Sequence, residues 1–497
     1  MGRRDALLRL SIMAALLLGG AMAPVFAADV KNLSVTVSSG TQANAYGGYT
    51  IEEGASALQN ALTLSSPAKV LGASAGGWSR WGNAEWNTLT IRLDEDGLLG
   101  PSDIVGGGVA ESEGGGAAVH NTVYIESGTV EGTVEGTVEG GVAVGINGVG
   151  DGTGDVLSNQ VTMSGGTVYS VFGGETGERN ANDNVVTIKG SAAVTGKSNA
   201  VYGGYTIDGN ASGNIVNIED DADIHGEIMG GYTRAGSLIS GNKVNVTGGN
   251  VNKNTVYGVY TAYGDVLDNQ AVIKGTGQAG SSDTNSVYAG FTNIGAAAGN
   301  ILYIQDSAEI AGSAFAGYQG GFISSETVER NQVFMSGGSV GGDLTGGGSN
   351  NGGETLNNYV EITGGTVSGN VYSGFTDSAD ALENTLTVAG GRVEGSLFGG
   401  YSNTGTANEN KLTFSAGTAR SDAYGGYAQE GADGNEAVLS GTSVLEGNAT
   451  GGSSARGEAS GNSLTIKENS EVKGDAAGGD VYMGTISKNI ITIQYNA

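Results

Sequence analysis

Residues that could support catalysis or metal binding are few in this 497-residue sequence. It contains only two histidines, His120 and His225, and no cysteine. A metal site needs several ligands at fixed spacing, and these two histidines stand far apart in different sequence contexts. The phosphate-binding pattern G-x-x-x-x-G-K-[ST] is also absent. We therefore expect neither a bound metal nor another cofactor.

The densest acidic group, Glu219, Asp220, Asp221 and Asp223, has no Lys or Arg within ten residues on either side. Enzymes that degrade polysaccharides need convergent carboxylates, commonly with a basic group nearby. The sequence thus favours a non-catalytic protein, and a β-helical polysaccharide-degrading enzyme remains the alternative.

The formal net charge of −29 further limits the partners that this chain can bind. Nucleic acids require clustered Lys and Arg side chains, so no nucleic-acid partner is expected. The expected partners are a ligand on a host or neighbouring cell, protein or glycan, or further copies of the same chain.

Residues 1–27 have the features of a secretory signal peptide. Arg3, Arg4 and Arg9 precede or flank a short apolar run, and Val25-Phe26-Ala27 supplies small residues for cleavage after Ala27. No later segment is long and apolar enough for a transmembrane helix. The sequence predicts an exported protein located at the cell surface, at the outer membrane or outside the cell.

The elements that must position any functional residue are defined by an internal repeat. The motif Asn-x-apolar-x-apolar recurs from Asn60 to Asn489 in fifteen steps over 429 residues, about 29 residues each. A looser copy begins at Asn32. Representative copies begin at Asn184, Asn242, Asn331, Asn384, Asn410 and Asn462. The alternation predicts a half-buried strand whose asparagine either points inward or lies at the corner entering the strand, and stacked amides at the coil spacing could form a ladder.

A second motif follows each first one, as in Val201-Tyr-Gly-Gly-Tyr-Thr206. Strict alternation would put Val201, Gly203 and Tyr205 on one face and Tyr202, Gly204 and Thr206 on the other, leaving open which aromatic column is buried. Strands one repeat apart must run parallel. The repeat therefore predicts an all-β protein, a parallel β-helix (β-solenoid) of about 16 coils with roughly 25–38 residues each, right-handed by the general crossover preference.

The regularity of the repeat changes along the chain. Residues 28–158 are predicted to form an N-terminal cap and irregular coils, and residues 159–497 the regular coils. Trp78, Trp81 and Trp86 fall in the irregular part. They are either packing residues of a cap or a candidate aromatic surface patch for ligand contact.

The strings N-x-V-x-I, G-G-x-V-x-G and Y-G-G-Y-T, recurring in order over residues 30–497, resemble the repeats in passenger regions of bacterial autotransporters. This resemblance implies a β-helical stalk displayed on the surface, often for adhesion. Full members also have a C-terminal barrel, which this sequence does not show, so attachment to the outer membrane would need a barrel or partner from elsewhere. A released matrix or biofilm protein is a further alternative.

Overall fold

The computed structural model describes residues 28–94, 98–99, 105–111, 116–128, 137–144, 154–196, 201–251, 254–280, 287–321, 325–350 and 352–494. The predicted signal peptide lies outside these residues. The described chain forms a parallel β-solenoid of about 15 coils, which confirms the predicted fold class. Since the described residues contain no helix, none of them forms a helix long and apolar enough to cross a membrane.

The chain divides into two compact units, Met1–Gly236 and Ser237–Ala497. Within each unit, a complete coil contains four strand segments, which we name by position. The corner strand precedes the repeat asparagine, the ladder strand follows it, the return strand comes next, and the glycine strand carries the second motif. Each segment pairs in parallel with its equivalent one coil away, as Val185–Ile188 does with Ile215–Ile218.

The strands of unit 1 have the following bounds. The corner strands are Val30–Lys31, Ala57–Leu58, Ala84–Glu85, Ala118–Val119, Val156–Leu157 and Ala181–Asn182. The ladder strands are Ser34–Val37, Ala61–Ser65, Thr88–Arg92, Thr122–Ser127, Gln160–Met163, Val185–Ile188 and Ile215–Ile218. The return strands are Thr41–Gln42, Lys69–Val70, Leu98–Leu99, Thr167–Val168, Ala193–Val194 and Asp223–Ile224. The glycine strands are Ala45–Thr50, Ser74–Ser79, Val105–Glu111, Thr137–Val144, Ser170–Thr176, Val201–Thr206 and Ile228–Thr233.

Unit 2 repeats this order, and in three coils the ladder and return strands merge. The corner strands are Leu238–Ser240, Asp265–Leu267, Ala297–Ala298, Val328–Glu329, Thr355–Leu356, Ala381–Leu382, Ala407–Asn408, Gly431–Asp433, Glu458–Ser460 and Thr485–Ser487. The ladder strands are Lys243–Val246, Gln270–Ile273, Ile301–Ile304, Gln332–Met335, Tyr359–Ile362, Thr385–Val393, Lys411–Ala419, Glu436–Leu445, Ser463–Lys467 and Ile490–Gln494. The separate return strands are Asn250–Val251, Gln278–Ala279, Glu309–Ile310, Ser339–Val340, Thr366–Val367 and Glu471–Val472. The glycine strands are Val256–Tyr263, Val287–Ile294, Ala314–Gln319, Leu344–Ser349, Val371–Thr376, Leu397–Ser402, Ala423–Ala428, Ala449–Ser454 and Ala476–Val481.

The core of each unit lies inside the coils and follows the predicted alternation of the ladder strands. In Val185–Ile188, the side chains of Val186 and Ile188 are fully buried, while Val185 and Thr187 are half-buried on the outer face. Burying one such aliphatic side chain contributes roughly 1.5–3 kcal/mol. A single coil cannot bury these side chains by itself, so each coil depends on its neighbours.

A sharp corner places each repeat asparagine on the inside of its coil. The residue just before it has a left-handed backbone in most coils, with φ of 58° at Asp183 and 54° at Glu383. This conformation is unfavourable for most L-residues, and Asn, Asp and Gly adopt it most readily. The corner therefore bends the chain inward at a local energetic cost that the stacking of coils must offset.

Candidate functional site

The buried asparagines form a ladder of side-chain amides inside each unit. The Nδ2 group of Asn384 donates to Oδ1 of Asn410 and to the backbone oxygen of Thr355, each at 3.0 Å. The backbone N–H of Asn384 donates to the same Oδ1 of Asn410 at 3.0 Å. All of these groups are buried, so the ladder satisfies polar atoms that would otherwise destabilise the core.

The ladder of unit 1 runs from Asn60 to Asn214 and that of unit 2 from Asn242 to Asn489. The six representative asparagines all occupy ladder positions and are at most 1% exposed: Asn184, Asn242, Asn331, Asn384, Asn410 and Asn462. The looser copy assigned to Asn32 is wrong by one residue. Asn32 has the left-handed corner backbone, and Leu33 takes the ladder position, where its N–H donates to Oδ1 of Asn60.

The glycine at the fourth position of most glycine strands lies against a ladder amide. A Cβ atom added at Gly400 would lie 2.3 Å from Cγ of Asn410, and one at Gly374 would lie 2.3 Å from Nδ2 of Asn384. Real Cβ atoms do not approach other atoms so closely. The close approach of the strand to the ladder therefore favours glycine at this position, and Val259 is the exception among the described coils.

A column of buried side chains, mostly Thr and Ser, closes the coils at the end of the glycine strands. The sequence did not lead us to predict this column. Thr206 Oγ1 donates to the backbone oxygen of Arg179, one coil away, at 2.7 Å and accepts the N–H of Gly209. Ser402 makes the same pair of bonds with Ala379 and Gly405. The recurring Thr or Ser at the sixth position of the second motif is the signal that marks this column.

The two aromatic residues of the second motif lie on the same outer face, so the strict alternation predicted for this strand is wrong. The Tyr202 and Tyr205 rings are in contact, with centroids 5.3 Å apart, while Val201 and Thr206 are buried on the inside. Pairing with the next coil matches Tyr202 to Met229 and Gly204 to Gly231 but skips Gly203. The alternation is thus interrupted at Gly203, and both rings lie on the outer face, where neighbouring rings cover Tyr202 until it is 1% exposed.

In unit 2 these outward residues form two parallel columns along the glycine strands, which we call the aromatic strip. Neighbouring rings within a column are stacked, with centroids 5.3 Å apart for Tyr257 and Tyr288 and 5.4 Å for Tyr401 and Tyr427. The strip contains two groups of six rings: Tyr257, Tyr260, Tyr288, Phe291, Phe315 and Tyr318 in the first, and Tyr372, Phe375, Phe398, Tyr401, Tyr424 and Tyr427 in the second. The rings are half-buried except Phe398, which is 8% exposed.

The electrostatics of the strip differ from those of the whole chain. The glycine strands from Val256–Tyr263 to Ala449–Ser454 contain no charged residue. Burial raises the pKa of Tyr318, Tyr372, Tyr401 and Tyr424 above the ordinary phenol value. The strip is therefore a neutral surface on a strongly acidic protein.

We found no match for this chain among known protein families, curated proteins or solved structures.

The three tryptophans do not form one patch of stacked rings. Trp78 is 9% exposed and packs against Tyr46 and Tyr49 on the outer face of the glycine strands of unit 1. Trp86 occupies a left-handed corner, is 56% exposed and stacks on His120 with centroids 4.2 Å apart. Trp81 lies between them in the loop and is half-buried. The structure thus assigns them to different sites.

Of the residues considered for catalysis or metal binding, the structure brings His225 and Asp223 into contact. His225 Nε2 lies 2.9 Å from Oδ2 of Asp223, and both side chains are about two-fifths exposed. Across the residues that the structure describes, no group of three or more His, Cys, Asp or Glu side chains is placed to hold a metal ion.

Two G-x-S-x-G strings also occur, Gly72–Gly76 and Gly337–Gly341. Their serines lie in strands of the solenoid, and Ser74 is fully buried. A nucleophile elbow instead exposes its serine at a strand-to-helix turn. These strings therefore belong to the strands and corners of the repeat.

Alkaline pH is expected to destabilise the stacked tyrosines of unit 1. Burial raises the pKa of Tyr205 to about 12 from an unfolded value of 10.0. Because the folded pKa is the higher one, the associated stability is fully present below pH 10 and is lost as the pH rises through about 12. A titration followed by tyrosinate absorbance should show some phenols that ionise at a higher pH in the native chain than in the chain unfolded by urea. Identical titrations in the two states would contradict this assignment.

Proposed function

We propose that this chain is an exported, surface-displayed structural and adhesive repeat protein, similar in organisation to an autotransporter passenger stalk and without catalytic activity. The observation that carries this proposal is the aromatic strip. A protein with a net charge of −29 keeps eight consecutive glycine strands free of charge and places paired aromatic rings on six of them. Aromatic side chains provide large contact areas at low entropic cost and are enriched in recognition surfaces.

The architecture supports a mechanical role beside the adhesive one. Neighbouring coils are joined by backbone pairing and by the amide ladder, and within each group of the aromatic strip also by stacked rings. Such repetition holds a contact surface in a fixed position along many coils. The features of residues 1–27 support export to a compartment where this surface would meet other cells.

Surface display is tested on intact cells that express the chain with an epitope in an exposed loop. We expect antibody to label these cells and added protease to remove the label, while a periplasmic marker stays intact. Labelling only after permeabilisation would overturn display at the surface. Recovery of the chain only from the medium would instead support the alternative of a released matrix protein. Attachment of the same cells to host cells or to one another then tests adhesion separately.

A further inference from the structure

We propose that the aromatic strip of unit 2 binds a second copy of this chain, packed face to face and antiparallel. The two-fold axis would lie between the copies, level with the strand Leu344–Ser349 and parallel to it. This inference gives the proposed adhesive function a partner. It depends on the geometry of the strip, so it can be tested on purified protein whether or not the chain is displayed on cells.

The order of rings along the strip is symmetric about one coil. Three coils with paired rings precede Leu344–Ser349, and three coils with paired rings follow it. At the central coil, Thr345 and Gly348 occupy the two ring positions. A two-fold axis parallel to this central strand, in the plane between the two copies, would place each ring-bearing coil of one copy opposite a ring-bearing coil of the other. An isologous interface requires this kind of self-complementary pattern.

The stacking of the rings also indicates how they would meet a partner. Within each half of the strip, neighbouring rings lie nearly parallel, with interplanar angles of 9° for Tyr257 and Tyr288 and 6° for Tyr372 and Phe398. Their faces are therefore covered by one another, and their edges point to solvent. A sugar bound by stacking needs a free ring face, whereas ring edges pack well against a second flat aromatic surface.

Charge favours the strip over the ladder-strand face for close contact between two acidic copies. The ladder-strand face carries charged side chains, among them Glu361 and the ion pair of Lys411 with Glu436, which a close contact would have to desolvate. Asp343 and Asp422 lie just before strands of the strip and Asp377 just after one, so these carboxylates stand at its two edges, where solvent and salt screen them. The neutral strip removes the like-charge repulsion from the centre of the contact.

The size of the strip predicts a weak association. The strip covers seven coils spaced by about 4.8 Å, and each of its strands is about 16 Å long. These dimensions give a contact area of roughly 500 Å² per copy. This is below the roughly 800 Å² per partner of standard stable interfaces. We therefore expect a reversible dimer in the micromolar range or weaker, which gains strength when many copies are displayed together.

The first test compares charge placed inside and outside the strip, using sedimentation velocity over a wide concentration range. Tyr401→Asp places a carboxylate between stacked rings of the strip, and Tyr303→Asp does the same beside the stacked Phe334 ring on the ladder-strand face. We expect the parent chain to dimerise reversibly, Tyr401→Asp to weaken the dimer at least tenfold, and Tyr303→Asp to leave it unchanged. Circular dichroism checks that both variants are folded.

The second test uses the absence of cysteine to measure the symmetry. Asn350 is exposed and directly follows the central strand, so the two copies of Asn350 should lie at the same edge of the dimer. Asn403 is exposed at the equivalent place two coils further on, and its two copies would be separated by about four coils, or about 19 Å. We expect a short bismaleimide to cross-link Asn350→Cys as a dimer and Asn403→Cys much less.

Three results would overturn the inference. The first is a parent chain that stays monomeric at millimolar concentration. Binding of a neutral glycan through Tyr401 by such a monomer would assign the strip to a different ligand. The second is equal weakening by Tyr401→Asp and Tyr303→Asp. The third is equal cross-linking of Asn350→Cys and Asn403→Cys. A dimer found in solution without surface labelling of cells would overturn display and leave this interface standing.

Discussion

Replacement of Gly400 by alanine is expected to destabilise unit 2 by about 2–4 kcal/mol, a large effect for one added methyl group. The new Cβ would lie 2.3 Å from Cγ of Asn410. That amide cannot move freely, because its Nδ2 donates to Ala381 O at 2.8 Å and to Oδ1 of Asn435 at 3.1 Å, while its Oδ1 accepts two bonds from Asn384. Relief of the clash must therefore stretch several buried hydrogen bonds.

The matched control is Gly431→Ala in the same unit. An added Cβ there meets its nearest atoms at 3.6 Å, Cγ2 of Thr406, and at 3.7 Å, O of Glu458. We expect the stability to change by less than about 1 kcal/mol, because the added methyl group makes only ordinary contacts and also lowers the entropy of the unfolded chain. Urea unfolding followed by circular dichroism, with hydrogen exchange at the affected coil, measures both variants. Equal stability of the two variants would show that the ladder can move aside.

One coil already shows how the ladder responds to a side chain at this position. Val259 stands where most coils have the second glycine, and it is buried with Ile239 and Val266. The adjacent Nδ2 of Asn269 lies 3.3 Å from Ile239 O, longer than the 2.8 Å of the equivalent bond at Asn410. A stretched bond of this kind is the change that we expect in Gly400→Ala.

Replacement of Asn384 by alanine is expected to cost about 3–5 kcal/mol. It removes the acceptor of two buried donors on Asn358, the backbone N–H and Nδ2, each at 3.0 Å. It also removes the Nδ2 bond to Thr355 O. Each buried polar group left without a partner costs about 1–3 kcal/mol, and the small alanine leaves room that the rigid coils cannot fill.

Asn403→Ala is the control for the loss of an asparagine. Its Nδ2 donates to Oδ1 of Asp377 at an exposed site, where water can replace the bond. We expect this variant to change the stability by less than about 0.5 kcal/mol. Hydrogen exchange should show faster opening of the coils beside Asn384→Ala and no change around Asn403→Ala. Similar exchange in both variants would argue that the ladder contributes little to the stability of the coils.

The sequence allowed the period, the parallel pairing and the asparagine ladder to be predicted, because these follow from alternation and spacing. It did not reveal the outward orientation of both tyrosines in Val201–Thr206, because the skipped pairing at Gly203 is a backbone feature that residue types do not encode. The register error at Asn32 has a similar cause. The corner before the ladder also favours asparagine, so residue type alone cannot separate the two positions.

The aromatic strip was missed for a different reason. Its rings are about 30 residues apart in sequence and become neighbours only when the coils are stacked. The symmetry about Leu344–Ser349 appears only when every coil is placed in register. The tryptophans are close in sequence, which suggested a common aromatic patch, but Trp78 and Trp86 contact different partners.

The amide ladder has a direction as well as a stabilising role. In each coil both donors, the backbone N–H and Nδ2, point to Oδ1 of the following coil, as at Asn331 and Asn358. The side-chain dipoles are therefore aligned along the chain and polarise one another. Each unit thus contains a row of aligned amide dipoles, with its negative end at the first asparagine and its positive end at the last. In unit 1 the negative end is Oδ1 of Asn60, which accepts the backbone N–H of Leu33. The ladder of side chains stops there, because leucine has no polar side-chain atom to continue it.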